Sequence, residues 1–143
     1  MKYEGKSHIL QACAIPFRRN GGRYEFCLIT SLRKGRWGFP KGIIDKGETH
    51  VETALKEADE EAGLRGQILG DPLGEYAYAK WYNTLQVTAY LMEVTEWHDD
   101  WLEAAVRKRR WVSAVEARQL VHNPDQVRLL EEAIARLGVE SET

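Results

Sequence analysis

Gly42 to Leu64 reads GIIDKGETHVETALKEADEEAGL, and the spacing inside it governs how the rest of the chain is interpreted. A helix turns about 100° per residue, so side chains three and four apart share a face. Glu57, Glu60 and Glu61 stand in that relation. Val51, Ala54, Leu55, Ala58 and Ala62 form a second stripe, centred about a third of a turn away, that suits packing on a sheet. Thr49 with Glu52 is a capping box that opens the helix, and Gly63 is placed to close it. Gly42 and Gly47 punctuate the approach loop, where a missing Cβ lets backbone come close to a metal or a phosphate.

Carboxylates crowded on one helical face repel one another at neutral pH. A solvated acidic face is one reading of such a pattern. A bound divalent cation is the other, and an all-oxygen ligand set suits Mg2+ or Mn2+, which take a few carboxylates, keep some waters and accept phosphate oxygens. The full pattern favours the cation. Gly42, Glu48, Lys56-Glu57, Glu60-Glu61 and Gly63-Leu64 resemble the Nudix box, G-x5-E-x7-R-E-U-x-E-E-x-G-U with U aliphatic. One position departs: Lys56 stands where that pattern has arginine, and its point charge copies a planar guanidinium fork imperfectly.

Upstream, His8 to Phe17 is mostly apolar and fits a buried strand. Arg18 to Gly22 reads as a hairpin turn, and Arg23 to Ser31 as an antiparallel returning strand. His8 is open to two readings, a ligand or an ordinary strand-start histidine. Arg33, Lys34 and Arg36 make a basic connector, and Trp37 to Pro40 resembles the W-x-x-P strand and loop that precedes the Nudix box. Trp37 suits either the core or stacking on a base.

Downstream, Gln67 to Leu69 starts a strand, and Asp71 to Gly74 interrupts it. Glu75 to Ala79 and Leu85 to Val94 are strands separated by Lys80-Trp81-Tyr82-Asn83. Alternation puts Tyr76 and Tyr78 on one face, as cleft wall or as sheet cover. Thr95 to Leu102 reads as an acidic aromatic loop ending in Glu103. The basic run Arg107 to Arg110 enters a last strand, Arg110 to Ser113; alternation sends Arg107 and Arg109 to one side. A short helix, Ala114 to Val121, precedes a longer one capped by Asn123-Pro124 and running to about Leu137, with Val127, Leu130, Ile134 and Leu137 as its stripe. Met1 to Ser7 and Val139 to Thr143 are expected to be frayed.

A chain of 143 residues with 43% hydrophobic content suits one domain, residues 1–143, whose core needs no staples. A net charge of -2 argues against a general nucleic-acid coat. Cys13 and Cys27 lie in apolar runs and read as buried thiols of a reducing compartment, with a disulfide as the alternative. With no leader or membrane-length apolar run visible, a cytoplasmic location is expected.

The order of elements gives an α/β fold of the α+β kind, a Nudix-type α/β/α sandwich with a mixed central sheet. The resemblance implies a hydrolase of the MutT-like group that cleaves a phosphoanhydride in a nucleoside or other diphosphate linked to a second moiety. It implies metal ligands among Gly42, Glu57, Glu60, Glu61 and Glu103, with Glu57 or Glu61 as base and Glu48 and Lys56 in support. Arg33, Lys41, Tyr78 and Arg107 are the expected substrate contacts. The W-x-x-P-K-G entry and the Arg107-Lys108-Arg109-Arg110-Trp111 run resemble the diphosphoinositol polyphosphate and diadenosine polyphosphate phosphohydrolase branch. ADP-ribose, RNA 5' ends and a non-catalytic nucleotide-binding module are the alternatives. The partner expected is thus a small phosphoanhydride, with no membrane and no nucleic acid except as a 5'-end substrate, bound by a monomer or homodimer.

Overall fold

The computed structural model describes residues 8–138, and the two expected frayed ends lie outside them. Strand β1 (His8–Asn20) and strand β7 (Asn83–Trp97) run side by side in parallel from His8↔Thr84 to Phe17↔Glu93. They form the spine of an eight-stranded sheet. Strand β2 (Arg23–Thr30) and the short strand β4 (Lys41–Ile43) pair antiparallel to β1. Strands β3 (Trp37–Gly38) and β8 (Arg109–Val112) both pair with β2. Strands β5 (Leu64–Ile68) and β6 (Gly74–Lys80) pair antiparallel with β7.

Alternation along β1 divides the core. Ala12 and Ala14 point to a cluster with Cys27, Ile29, Leu64 and Met92, which helix α1 (His50–Ala62) closes with Ala54, Ala58 and Ala62. Cys13, Ile15 and Phe17 point the other way, to Phe26, Leu28 and Val87 under helices α2 (Ala114–Leu120) and α3 (Pro124–Leu137). Each large side chain fully buried there contributes roughly 1.5–3 kcal/mol of transfer free energy. The result is the expected α/β/α sandwich around a mixed sheet. Among the described residues no helix is long and apolar enough to cross a membrane.

The capping box at Thr49 is present in both directions, and Gly63 ends α1 in the left-handed conformation with its N–H returned to Ala58 and Asp59 carbonyls. Asn123 caps α3 as expected. Cys13 and Cys27 are free, buried and in separate clusters on opposite faces of the sheet, which removes the disulfide alternative. Burial pushes both thiols up to about 12.

Several boundaries differ from the sequence reading. The first hairpin turns on Gly21-Gly22 alone, because the strand partners extend to Asn20↔Arg23. Strand β5 begins at Leu64, directly after the helix, and pairs Leu64↔Trp97 and Arg65↔Glu96. That pairing draws residues 95–97 into β7, so the acidic loop starts at His98. Val51 is 37% exposed and does not belong to the packed stripe. Arg107 precedes β8, so its orientation does not come from strand alternation.

Candidate active site

The carboxylate site forms where α1 passes β4 and the loop before β8. Glu61 is only 6% exposed, and its Oε1 accepts the Lys41 backbone N–H at 3.3 Å. Glu57, one turn earlier, lies directly behind Gly42. An ideal Cβ on Gly42 would stand 2.3 Å from Glu57 Cδ, so only glycine permits this approach.

Burial raises the Glu61 carboxyl to about 8, and the hydrogen bond with Glu57 adds to that, while Arg107 opposes it. Glu57 is also raised, first by burial, with Glu60 and Glu103 repelling its charge. Both carboxyls are thus pushed toward the protonated form, by burial first. Among the described residues, no three His, Cys, Asp or Glu side chains stand close enough together to hold a metal ion by themselves.

Support for the pair comes from two directions. The Lys56 ammonium donates to Glu48 Oε2 at 2.8 Å and to Asp45 Oδ2 at 3.0 Å, and stands 4.0 Å from Glu57 Oε2. Glu48 Oε1 accepts from the fully buried Thr53 hydroxyl at 2.9 Å and from the Asp45 N–H at 3.1 Å. These donors, Lys56 foremost, hold the Glu48 carboxyl below its ordinary range. On the other side, Arg107 donates to Glu103 Oε1 at 2.6 Å and to the Thr30 carbonyl at 2.9 Å, with Glu61 Oε2 at 3.6 Å. Glu103 is anchored by its own N–H, which donates to the Glu60 carbonyl at 3.1 Å.

The structure therefore lines Gly42, Glu48, Lys56, Glu57, Glu61, Glu103 and Arg107 along α1, linked by Lys56 on one side and Arg107 on the other. Glu60 is half-buried on the helix flank that borders Trp101 and His98. Lys41 turns to the opposite face of the sheet, donating to the Tyr78 hydroxyl at 3.2 Å, and that hydroxyl donates to Gln11 Oε1 at 2.9 Å. Tyr78 stacks on Tyr76 with ring centroids 6.2 Å apart. Arg33 is exposed in the β2–β3 connection and forms no ion pair among the described residues. His8 is exposed, and Trp37 packs partly against the larger core cluster.

Asp45, Thr53, Thr30 and Gln11 were missed by the sequence reading. Thr53, one turn before Glu57 on the helix, and Asp45, three residues before Glu48, are local to the stretch, while Thr30 and Gln11 arrive from strands far away in sequence. Arg109 was expected only to share a side with Arg107. It donates to the Ala62 and His98 carbonyls at 2.7 Å each and closes the helix C-terminus.

A mixed sheet between helices, with acids packed behind a glycine on a capped helix, is an α/β/α sandwich that carries its acids on one helix. The chain belongs to the Nudix family, whose NUDIX domain model matches residues 8–133. It is similar to Nudix hydrolase 12, mitochondrial, of Arabidopsis thaliana, 32% identical over 135 residues that cover 85% of this chain and 66% of that protein. The asymmetrical bis(5'-nucleosyl)-tetraphosphatase of Sus scrofa is 33% identical over 135 residues, covering 86% of this chain and 92% of that one. This chain spans 64% of another Arabidopsis thaliana relative, Nudix hydrolase 21, chloroplastic, so several plant relatives are longer than the matched region. Among solved structures, a C. elegans Ap4A hydrolase binary complex superposes with a TM-score of 0.79 at 24% identity over 91% of this chain and 98% of that one. The NUDIX domain of Shewanella oneidensis NrtR complexed with ADP ribose gives 0.76 at 21% identity over 92% and 90%. At those identities the structural likeness concerns the fold.

Proposed function

We propose that this chain, acting as a single Nudix domain over residues 1–143, is a divalent-metal-dependent hydrolase of a phosphoanhydride bond. Its substrate is a nucleoside or inositol diphosphate linked to another moiety, with a diadenosine polyphosphate or diphosphoinositol polyphosphate favoured. The observation that carries the reading is the packing of the Glu57 carboxyl against Gly42 beside the buried Glu61, with both carboxyls raised by burial. A protein gains nothing in stability from neighbouring desolvated carboxylates that repel, but a cation between them relieves the conflict. The donors are all oxygen, which fits Mg2+ or Mn2+. Glu57, Glu60, Glu61, Glu103 and the Gly42 carbonyl are the groups proposed to hold it. When bound, such an ion neutralises charge on the anhydride and lowers the pKa of a coordinated water.

Hydrolysis adds water across P–O–P: a new P–O bond forms, the bridging P–O bond breaks and the water's proton leaves. Glu57 or Glu61 is the proposed base that takes that proton once its own carboxyl is ionised. Glu48, held by Lys56, Thr53 and Asp45, positions the start of the helix. Arg107 and Arg33 are the proposed contacts to the remaining phosphates, and Lys41 and Tyr78 offer a cation and a hydroxyl on the opposite face of the sheet. A cytoplasmic location is proposed with it, supported by the two free buried thiols.

The test is a panel of diadenosine polyphosphates, inositol pyrophosphates, ADP-ribose, triphosphate-ended RNA and nucleoside triphosphates, assayed for phosphate and nucleotide release with Mg2+ and with EDTA. Metal-dependent turnover that Glu57→Gln abolishes supports the reading. Metal-dependent nucleotide binding with no turnover of any member converts it to a binding module.

A further inference from the structure

The last carbonyls of an α-helix find no partner within the helix and must be met from outside. At the end of α1, four consecutive carbonyls are met by one segment, residues 98–109. The Glu103 N–H donates to the Glu60 carbonyl at 3.1 Å, and the His98 N–H to the Gly63 carbonyl at 3.0 Å. Between them, the Trp101 indole N–H donates to the Glu61 carbonyl at 2.9 Å, and Arg109 to the Ala62 carbonyl at 2.7 Å. The Arg109 guanidinium also lies over the Trp101 ring, 4.3 Å from its centroid. The fit is close: a Cβ on Gly63 would stand 2.9 Å from Trp101 Cβ.

The two sides of this junction differ in what holds them. Helix α1 is fixed by its capping box and by Ala54, Ala58 and Ala62, which are buried against the sheet. Every residue from 98 to 108 is half-buried or exposed, Leu102 to 76% and Val106 to 60%, so the segment has no apolar core of its own. Such a stretch takes its shape from its polar anchors. Glu103 sits between two side-chain anchors. Trp101, two residues before it, ties the segment to the helix. Arg107, four residues after it, donates to Glu103 Oε1 at 2.6 Å and to the Thr30 carbonyl at 2.9 Å, with Glu61 Oε2 at 3.6 Å from the same guanidinium. Arg109 belongs to β8 and is placed by the sheet, which leaves Trp101 as the anchor on the N-terminal side of Glu103.

We infer that Trp101 is a positioning residue: by bonding the Glu61 carbonyl it holds the 98–109 segment so that the Glu103 carboxylate stands beside the acids of α1. This rests on the proposed function, which counts Glu103 among the groups that hold the cation. The Trp101 donor is spent on the main chain, so its effect on the site passes through Glu103.

The test compares wild type with Trp101→Phe, which keeps an aromatic ring beneath Arg109 and removes one donor, with Glu103→Gln and with the double variant. Mn2+ affinity is measured by electron paramagnetic resonance at pH 8, and amide hydrogen exchange by nuclear magnetic resonance in EDTA. Groups that orient metal ligands are worth 10- to 100-fold in metal affinity, so Mn2+ affinity should fall about tenfold or more in each single variant. The double variant should bind no more weakly than Glu103→Gln, because the two residues act through one carboxylate. In EDTA the Glu103 amide should exchange about tenfold faster in Trp101→Phe, with the Gly63 amide as in wild type. Wild-type Mn2+ affinity in either single variant, losses that multiply in the double variant, or an unchanged Glu103 amide overturns the inference. Faster exchange at Gly63 as well, or a Trp101→Phe protein without the wild-type circular dichroism, makes Trp101 a plain stabiliser of the fold and also overturns it. If wild type takes up Mn2+ and turns over substrate while Trp101→Phe matches it, the positioning role alone fails. If wild type takes up no Mn2+, the hydrolase reading fails and the exchange result decides the positioning role: faster at Glu103 keeps it, unchanged removes it.

Discussion

The backbone of Gly42 and the carboxyl of Glu57 are so close that a single added carbon on Gly42 would overlap Glu57 Cδ at 2.3 Å. Gly42 belongs to β4, opposite Ala12, and Glu57 to α1, so the contact fixes the helix against the sheet at the one level where the acids gather.

Gly42→Ala is therefore expected to push the Glu57 side chain aside and leave the helix in place. Displacing a reacting group by about 1 Å costs on the order of a hundredfold in rate. Steady-state kcat/KM with Mg2+ should fall by that order while circular dichroism stays that of the wild type. Full activity in Gly42→Ala would show that Glu57 is not held where the reaction needs it.

The stability of the metal-free protein should depend on Glu61. Its folded carboxyl titrates at about 8 against an ordinary value of 4.5, so the folded state binds more protons than the unfolded state between those limits. The stabilisation is complete below about pH 4.5 and is lost as pH rises through about 8. Melting temperature in EDTA should fall across that window, and Glu61→Gln should flatten the fall. Saturating Mg2+ should reverse the slope, since cation binding needs the charged form.

Lys56 holds two carboxylates, Glu48 at 2.8 Å and Asp45 at 3.0 Å, and stands close to a third. Removing a group that orients metal ligands typically costs 10- to 100-fold in metal affinity. Lys56→Ala should raise the Mg2+ concentration for half-maximal activity by about that factor. Lys56→Arg should stay within a few fold of wild type, because a guanidinium can engage the same carboxylates. A large defect in the arginine variant would mean that the lysine geometry itself is required.

Arg109 closes α1 by donating to the Ala62 and His98 carbonyls from a side chain only 11% exposed. Arg109→Ala leaves both carbonyls without that partner and should destabilise the fold by about 2 kcal/mol in urea unfolding, with the residual activity per folded molecule largely kept.

The helix was legible from its sequence alone, since Thr49, Glu52 and Gly63 act within a turn of themselves and obey local rules. The same holds for Glu57 and Glu61, one turn apart on α1. What sequence could not show was pairing across distance. The parallel match of β1 with β7 joins residues more than seventy positions apart, and it aligns Gln11 and Val87 on the face where Tyr78 meets Lys41. Trp97 was read as loop because acidic neighbours mask a strand that only Leu64 completes. Arg107 was read as an edge or phosphate contact, and what the sequence could not show is that Thr30 and Glu61, from two other elements, lie beside it.

The central claim is that the Glu57–Glu61 pair behind Gly42 is the binding site of a divalent cation. Mn2+ titration followed by electron paramagnetic resonance, on wild type and Glu57→Gln at pH 8, tests it most directly. The account predicts at least one Mn2+ taken up by the wild type and that site lost in the variant; identical uptake by both proteins, or none by either, contradicts it.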